Sequence, residues 1–370
     1  MDLVVVSLEA WDDVWRRNQH IVSRLLDTDA SLRVLFVEPA ADPLHDLLSR
    51  RTPASAIGVT RVDGYGGRLM RFRPIKLLPR RVDACVDERL ARSVHRGVGE
   101  AGLSHPVLWL NDPGAAPLAR LTGWPTLYDI TDDWAAAERR GAEVERIREG
   151  EAWLLPHAAA VVACSEELVR RKAPLRTGTI DLIPNAVDVD AYRVPHERPD
   201  DLPESSAVYV GTLHRDRLDL ELCIRTAQTL GPAGRVVLVG PNALGGADTA
   251  RLVDAGVVLL GARPRDEVIG YLQHAEVLLV PHLVTPFTES LDPIKLYEYQ
   301  AVGRPVVSTP VAGFRDAASP RIRIVPAASF PEAARAVLTA SMPFPNGSGR
   351  PVASWDDRAA AMRAVLDRIG

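Results

Sequence analysis

Apolar runs of four to six residues recur along the chain, with stretches between them in which apolar residues return every three or four positions. In the first half the runs are Leu3–Ser7, Arg33–Val37, Val107–Leu110, Thr126–Ile130 and Ala160–Cys164. In the second half they are Ala207–Gly211, Arg235–Gly240, Val257–Leu260, Glu276–Val280, Pro305–Ser308 and Arg321–Val325. Short Val/Leu/Ile-rich runs without polar alternation predict parallel strands buried on both faces, and the helical period between them predicts crossover helices. Two such series predict two doubly wound α/β domains. A length of 370 residues supports the same division, because one hydrophobic core rarely grows so large. Residues 189–206, with Pro195, Pro199, Asp200-Asp201 and Pro203, read as a linker. A second Pro/Gly/Ser stretch, Met342–Pro351, precedes an amphipathic segment, Ser354–Ile369.

Composition narrows the classes without choosing among them. Apolar residues make up 46% and charged residues 25%, ordinary values for a globular enzyme, and a formal net charge of −4 gives no reason to expect nucleic acid. Abundant Arg, Ala, Val and Pro suggest a GC-rich bacterial genome. Residues 61–100 depart from the average, with ten Lys/Arg against five acids. That basic patch could face anionic lipid or an anionic acceptor, or be a solvated helix face with its loop. Cys85, Cys164 and Cys223 lack metal-ligand or disulfide-framework spacing, which fits a reducing cytoplasm. The start, Met-Asp-Leu-Val-Val-Val-Ser, reads as a strand rather than a signal, and no apolar run approaches 18 residues. The expectation is a cytoplasmic protein, with peripheral contact at the inner membrane face through the 61–100 patch as an option.

The most informative stretch is 285–313. Pro293 suits the first turn of a helix, and Asp292 before it can cap the free N–H groups. The helix should end at Gly303. Its N-terminus, with Lys295 adding a full charge, would suit a diphosphate, and Glu298 three residues on could accept hydrogen bonds from the vicinal hydroxyls of a ribose. An ordinary capped helix with a solvated Lys and Glu is the plainer alternative.

Lys295-Leu-Tyr-Glu-Tyr299 with Gly303-Arg-Pro-Val-Val-Ser308 resembles the donor-site signature of retaining GT-B glycosyltransferases (group 1, family 4-like), and Ile183-Pro-Asn-Ala-Val-Asp188 resembles that family's interdomain motif. Val161–Glu166, Tyr209-Val-Gly-Thr212 and Ser354-Trp-Asp356 are similar to further family segments. The resemblance implies two Rossmann-like domains facing across a cleft. Residues 1–190 would form the acceptor domain, with helix 354–370 packing back on it, and residues 191–350 the nucleotide-sugar donor domain. Ligands of open α/β sheets bind beyond the carboxyl ends of the strands.

By that resemblance the donor contacts are Gly211, Arg215, Arg263, Asp292, Ile294, Leu296 and Glu298. Arg217 (or Arg215) acts with Lys295 on the leaving diphosphate, without a metal. Family members usually carry a first carboxylate eight residues before the second, where this chain has Ser290. Glu289 stands nine before Glu298, so a bulge could restore it, or Asp292 could substitute. On the acceptor side, Trp11–His20 replaces a Gly-rich loop. Arg16, Arg17, Asn18 and His20 are the candidates there, and Thr131, Asp132 and Asp133 follow a strand whose end approaches the catalytic centre in the family. A structural His or Arg in the first group, and helix capping by the Asp pair, are the alternatives. The implied activity is transfer of a sugar from a nucleoside diphosphate, UDP or GDP, to a carbohydrate, lipid-linked or small-molecule hydroxyl, with no cofactor. A sugar-nucleotide epimerase of the same fold and a catalytically silent nucleotide-binding subunit are the rivals.

Overall fold

The structure is a computed structural model in which residues 1–12, 15–43, 57–80, 82–83, 85–133, 141–317, 319–339 and 352–370 are described. Asp13, Val14, Arg81, Trp134 and the Met342–Pro351 stretch singled out above lie outside them. The chain divides into two domains, one comprising residues 1–135, 139–184 and 356–370, the other residues 185–355. The boundary falls inside Ile183–Asp188.

The first domain is built on an eight-stranded sheet. Its strands are β1 (Asp2–Val6), β2 (Arg33–Val37), β3 (Gly58–Arg61), β4 (Leu69–Arg73), β5 (Val107–Leu110), β6 (Thr126–Ile130), β7 (Ala160–Ala163) and β8 (Asp181–Leu182), in the order β3-β4-β2-β1-β5-β6-β7-β8. Every pairing is parallel except β3 with β4. Leu3, Val4, Val5, Leu35, Phe36, Leu108 and Trp109 are fully buried, as helices on both faces of a parallel sheet require. The helix Trp355–Ile369 belongs here, held by Arg363 to Asp29 and Arg368 to Asp181.

The second domain carries a six-stranded parallel sheet made of β9 (Ser206–Val210), β10 (Arg235–Val239), β11 (Val258–Gly261), β12 (Val277–Val280), β13 (Val306–Ser308) and β14 (Ile322–Ile324), ordered β11-β10-β9-β12-β13-β14. The order reverses at β9, so the β9–β12 edge is the switch point where ligands of such sheets collect. Gly211 and Gly240 follow the neighbouring strands β9 and β10 at φ 148° and 144°. A Cβ on Gly240 would sit 2.2 Å from the Gly211 carbonyl oxygen, so the close approach of these turns requires glycine.

Three strands escaped the apolar-run reading. In β3 and β4 polar residues alternate with apolar ones on an antiparallel edge, and β8 has only two residues. The 189–206 segment is also not a free connector. Residues Val189–Arg193 form a helical turn, Tyr192 and Leu202 are buried in the second domain's core, and Gln273 donates to the Tyr192 and Val194 carbonyls. Its prolines serve a packed strap, because buried anchors outweigh the local tendency towards open chain.

Candidate donor site on the second domain

Lys295 and Arg217 arrive at the carboxyl-end pole of β9 and β12 from different segments. The helix Ile294–Val302 ends at Gly303 in the left-handed conformation (φ 72°), as the Gly signal required. Its start differs from expectation. Pro293 is the cap residue itself, with extended backbone, and no side chain caps the helix. Asp292 instead accepts from the Asn185 N–H at 2.5 Å and from the Tyr297 hydroxyl, while Asn185 Nδ2 donates to the Asp292 carbonyl. A partner 107 positions away in sequence thus displaces the local cap. The Leu296 N–H bonds to the Pro293 carbonyl, so it closes the first turn.

Lys295 Nζ stands 5.0 Å from the centre of the Tyr209 ring. Burial, then the neighbouring charge of Arg217, lowers its pKa to about 8, against the opposing pull of Glu298. Among the described residues no carboxylate lies within ion-pair distance of this ammonium. Arg217 pairs with Asp216 at 3.1 Å and sits over the Phe287 ring. Beneath them His282, following β12, is buried and shares a 3.2 Å hydrogen bond with the Tyr209 hydroxyl. Burial, followed by the charges of Lys295 and Arg217, drives the His282 pKa far down, so the ring is neutral at pH 7. Tyr209 is held protonated, chiefly by burial. The floor of the site is therefore uncharged and its rim cationic. A Cβ on Gly211 would lie 3.1 Å from both Lys295 Nζ and the Tyr209 oxygen, so a side chain there would crowd the ammonium.

The other donor candidates are more dispersed. Glu298 accepts a 2.5 Å hydrogen bond from Tyr192. Arg215 forms a surface pair with Asp248 at 2.6 Å, while Arg217 is the arginine close enough to bias His282 and Lys295. Arg263, beyond β11, is engaged by Asp201 at 2.6 Å and by the Tyr271 hydroxyl. Ser290 is fully buried and donates to the Phe287 carbonyl, because residues Thr288–Ser290 form a 3₁₀ turn that points this position inward. Glu289 takes the outward position. Its Oε2 pairs with Arg315 at 2.7 Å, and its buried Oε1 has no partner among the described residues.

On the first domain most acceptor candidates are engaged internally. Asn18 Nδ2 donates to Ser7 and Asn111, and His20 packs edge-on against Trp15 within the buried side of its helix. Arg16 forms surface pairs with Glu9 and Asp12. Thr131 donates to Asp132 at 3.3 Å. Asp133 is buried rather than presented. Burial would lift its carboxyl, but Lys172 at 2.8 Å and Arg171 at 2.9 Å hold it below the usual range, and Lys172 also pairs with Glu151. A hollow of about 310 Å³ in the first domain has a different lining that includes Ser7, Glu38, Lys76, Arg80, Asp112 and Arg146.

His282, Tyr192 and Arg315 were missed by sequence reasoning. His282 could have been found, since it lies two residues past β12 at the pole where ligands bind. Tyr192 and Arg315 carry no such local signal. Among the described residues no group of three or more His, Cys, Asp or Glu side chains could hold a metal ion.

The two sheets are those of the GT-B fold, and solved structures share it. Anabaena Alr3699/HepE, solved with UDP-glucose, matches with TM-score 0.64 at 14% identity over 100% of this chain and 95% of its own. Sucrose-phosphate synthase from Thermosynechococcus elongatus matches with TM-score 0.62 at 17% identity over 100% and 97%. Residues 204–341 match the family model described as Glycosyl transferases group 1. TuaH of Bacillus subtilis (strain 168), described as a glycosyltransferase of teichuronic acid biosynthesis, is 26% identical over 220 residues, 55% of this chain and 55% of TuaH. The chain thus spans about half the length of that curated relative.

Proposed function

We propose that this protein is a retaining glycosyltransferase that moves a sugar from a nucleoside diphosphate to an acceptor hydroxyl. The observation that carries the reading is the pairing of Lys295 with Arg217 above a neutral Tyr209–His282 floor, with Glu298 one turn along the same helix. The group 1 match over 204–341 covers all of these residues and supports the same chemistry.

In this mechanism the diphosphate lies against the Lys295 ammonium and the Arg217 guanidinium. As the bond from the anomeric carbon to the phosphate oxygen breaks, negative charge grows on that oxygen, and two fixed cations stabilise it more than they stabilise the bound donor. The acceptor oxygen attacks from the face the diphosphate leaves, and the diphosphate oxygen takes its proton. The anomeric configuration is thereby retained. Glu298 accepts hydrogen bonds from the ribose hydroxyls, in place of or alongside Tyr192. Glu289, through its Oε1, is the carboxylate assigned to the donor sugar. The role of the two cations needs no metal.

UDP is the preferred nucleotide, supported by the UDP and UDP-glucose complexes of the HepE fold relative. A thermal-shift panel of UDP, GDP, dTDP and ADP tests the choice. The true nucleotide at about 100 times its Kd should stabilise the protein by about 2.7 kcal/mol. No shift with any of them would overturn the reading. NMR of the product's anomeric configuration tests retention, and activity that disappears in EDTA and returns with Mg²⁺ would exclude the metal-free role of Lys295 and Arg217.

A further inference from the structure

The 310 Å³ hollow of the first domain has a wall with two characters. Pro74, Lys76 and Arg80 line the hollow. The residues interleaved with them are exposed and apolar: Ile75 at 37%, Leu77 at 72%, Leu78 at 45% and, just beyond, Val82 at 67%. Four of the eleven exposed large hydrophobics among the described residues thus fall within eight consecutive positions, which is a patch rather than the usual scatter. The loop is tied down: Lys76 pairs with Asp42 at 2.6 Å, and Arg80 pairs with Asp87 in the first turn of the helix Val86–Glu100. That helix continues with Arg89, Arg92 and Arg96 exposed, at the three- and four-residue spacings that align side chains along one stripe. Arg89 is paired with Asp83, and the exposed acids of the helix, Glu88 and Glu100, stand near its two ends.

We propose that residues 75–80 together with Val82 form a docking edge for an anionic lipid surface, with Leu77, Leu78 and Val82 entering the interface and Arg92 and Arg96 resting against lipid phosphates. Apolar side chains on a short anchored loop gain by leaving water for the acyl boundary, and nearby arginines add attraction that depends on lipid charge. Arg92 and Arg96, exposed and in no ion pair among the described residues, fit that partner and disfavour a neutral one. Among the described residues no helix is long and apolar enough to cross a membrane, so contact through this loop is interfacial. The hollow walled by the same loop then opens beside the lipid surface. On the transferase reading, on which this last step rests, its occupant is the polar head of a lipid-borne acceptor.

Co-sedimentation of the full chain with phosphatidylcholine vesicles, with and without phosphatidylglycerol, tests the proposal. Wild type should bind the mixed vesicles and lose binding in high salt. Leu77→Asp with Leu78→Asp should weaken partition by about tenfold or more, and Arg92→Glu with Arg96→Glu should remove the preference for phosphatidylglycerol. Leu77→Trp should shift its emission to the blue on vesicles. Nucleotide thermal shifts, read on the second domain, report separately on folding and on the transferase reading. A protein that binds nucleotide but no vesicle overturns the docking edge and leaves the donor site standing. A self-association that Leu77→Asp with Leu78→Asp dissolves, without vesicle binding, overturns it in favour of a second copy.

Discussion

The two domains present different charges at the carboxyl ends of their central strands. In the first, charge is answered from within. Arg17 is buried against Asp129 at 3.2 Å, with Trp109 and Asn111 donating to the same carboxylate, and Lys172 lies between Asp133 and Glu151. In the second, Lys295 is half-buried over an aromatic ring, with its pKa lowered to about 8. A buried ion pair with its hydrogen bonds completed is a structural unit, and breaking it leaves a stranded charge. A cation kept partly desolvated without a carboxylate partner is costly to the fold, which makes it a candidate for completion by a ligand. Charge alone does not mark a site; unanswered charge does.

The comparison can be broken first by Asp129→Ala. It strands Arg17 and should cost about 3–5 kcal/mol of stability in a denaturant titration. A near-neutral result would remove the structural role assigned to the first domain's pole. Next in size, Lys295→Ala should leave stability at or above wild type, because a costly half-buried charge is gone, while turnover falls by about 10²–10³-fold because a preorganised cation is missing as charge develops. Parallel loss of stability and activity would place Lys295 with the structural pairs instead.

A smaller effect separates the domains by pH. Lys295 titrates below its unfolded value, so the unfolded chain holds the proton more tightly between about 8 and the ordinary lysine range near 10.5. Its contribution to stability of the unliganded protein is therefore unfavourable at low pH and improves as pH rises through that window. Affinity for a nucleoside diphosphate should move the other way, falling above about pH 8 as the ammonium is lost. Calorimetry on wild type and Lys295→Met would show both slopes, and a profile that is the same in the two proteins would exclude Lys295 as the titrating group. The smallest effect is at Tyr192→Phe. Removing the hydroxyl from Glu298 should change nucleotide affinity by about 0.5–1.5 kcal/mol and leave the fold intact.

Legibility in the sequence followed the range of the interaction. The Lys295 and Glu298 spacing, the stop at Gly303 and the Val-rich central strands depend on neighbours within a few residues, and the pattern carried them. Asp292 was read as a cap because the local rule is sound, yet Asn185, far away in sequence, takes its carboxylate. The basic surplus over 61–100 is similarly reduced by acids from outside that window: Glu38 beside Arg71, Asp42 on Lys76 and Glu143 near Arg80. The family spacing pointed to position 290, and only the 3₁₀ turn turns Ser290 inward and Glu289 outward.

The sequence by itself determined two α/β domains and the helix that carries Lys295 and Glu298, because strand burial and helix period are repeated locally and many residues vote for each. Tertiary structure decided which charges are answered. An ion pair joins two residues whose separation along the chain is unrelated to their separation in space, so Asp129 with Arg17, Asp133 with Lys172 and Glu289 with Arg315 became visible only once the strands had been placed side by side.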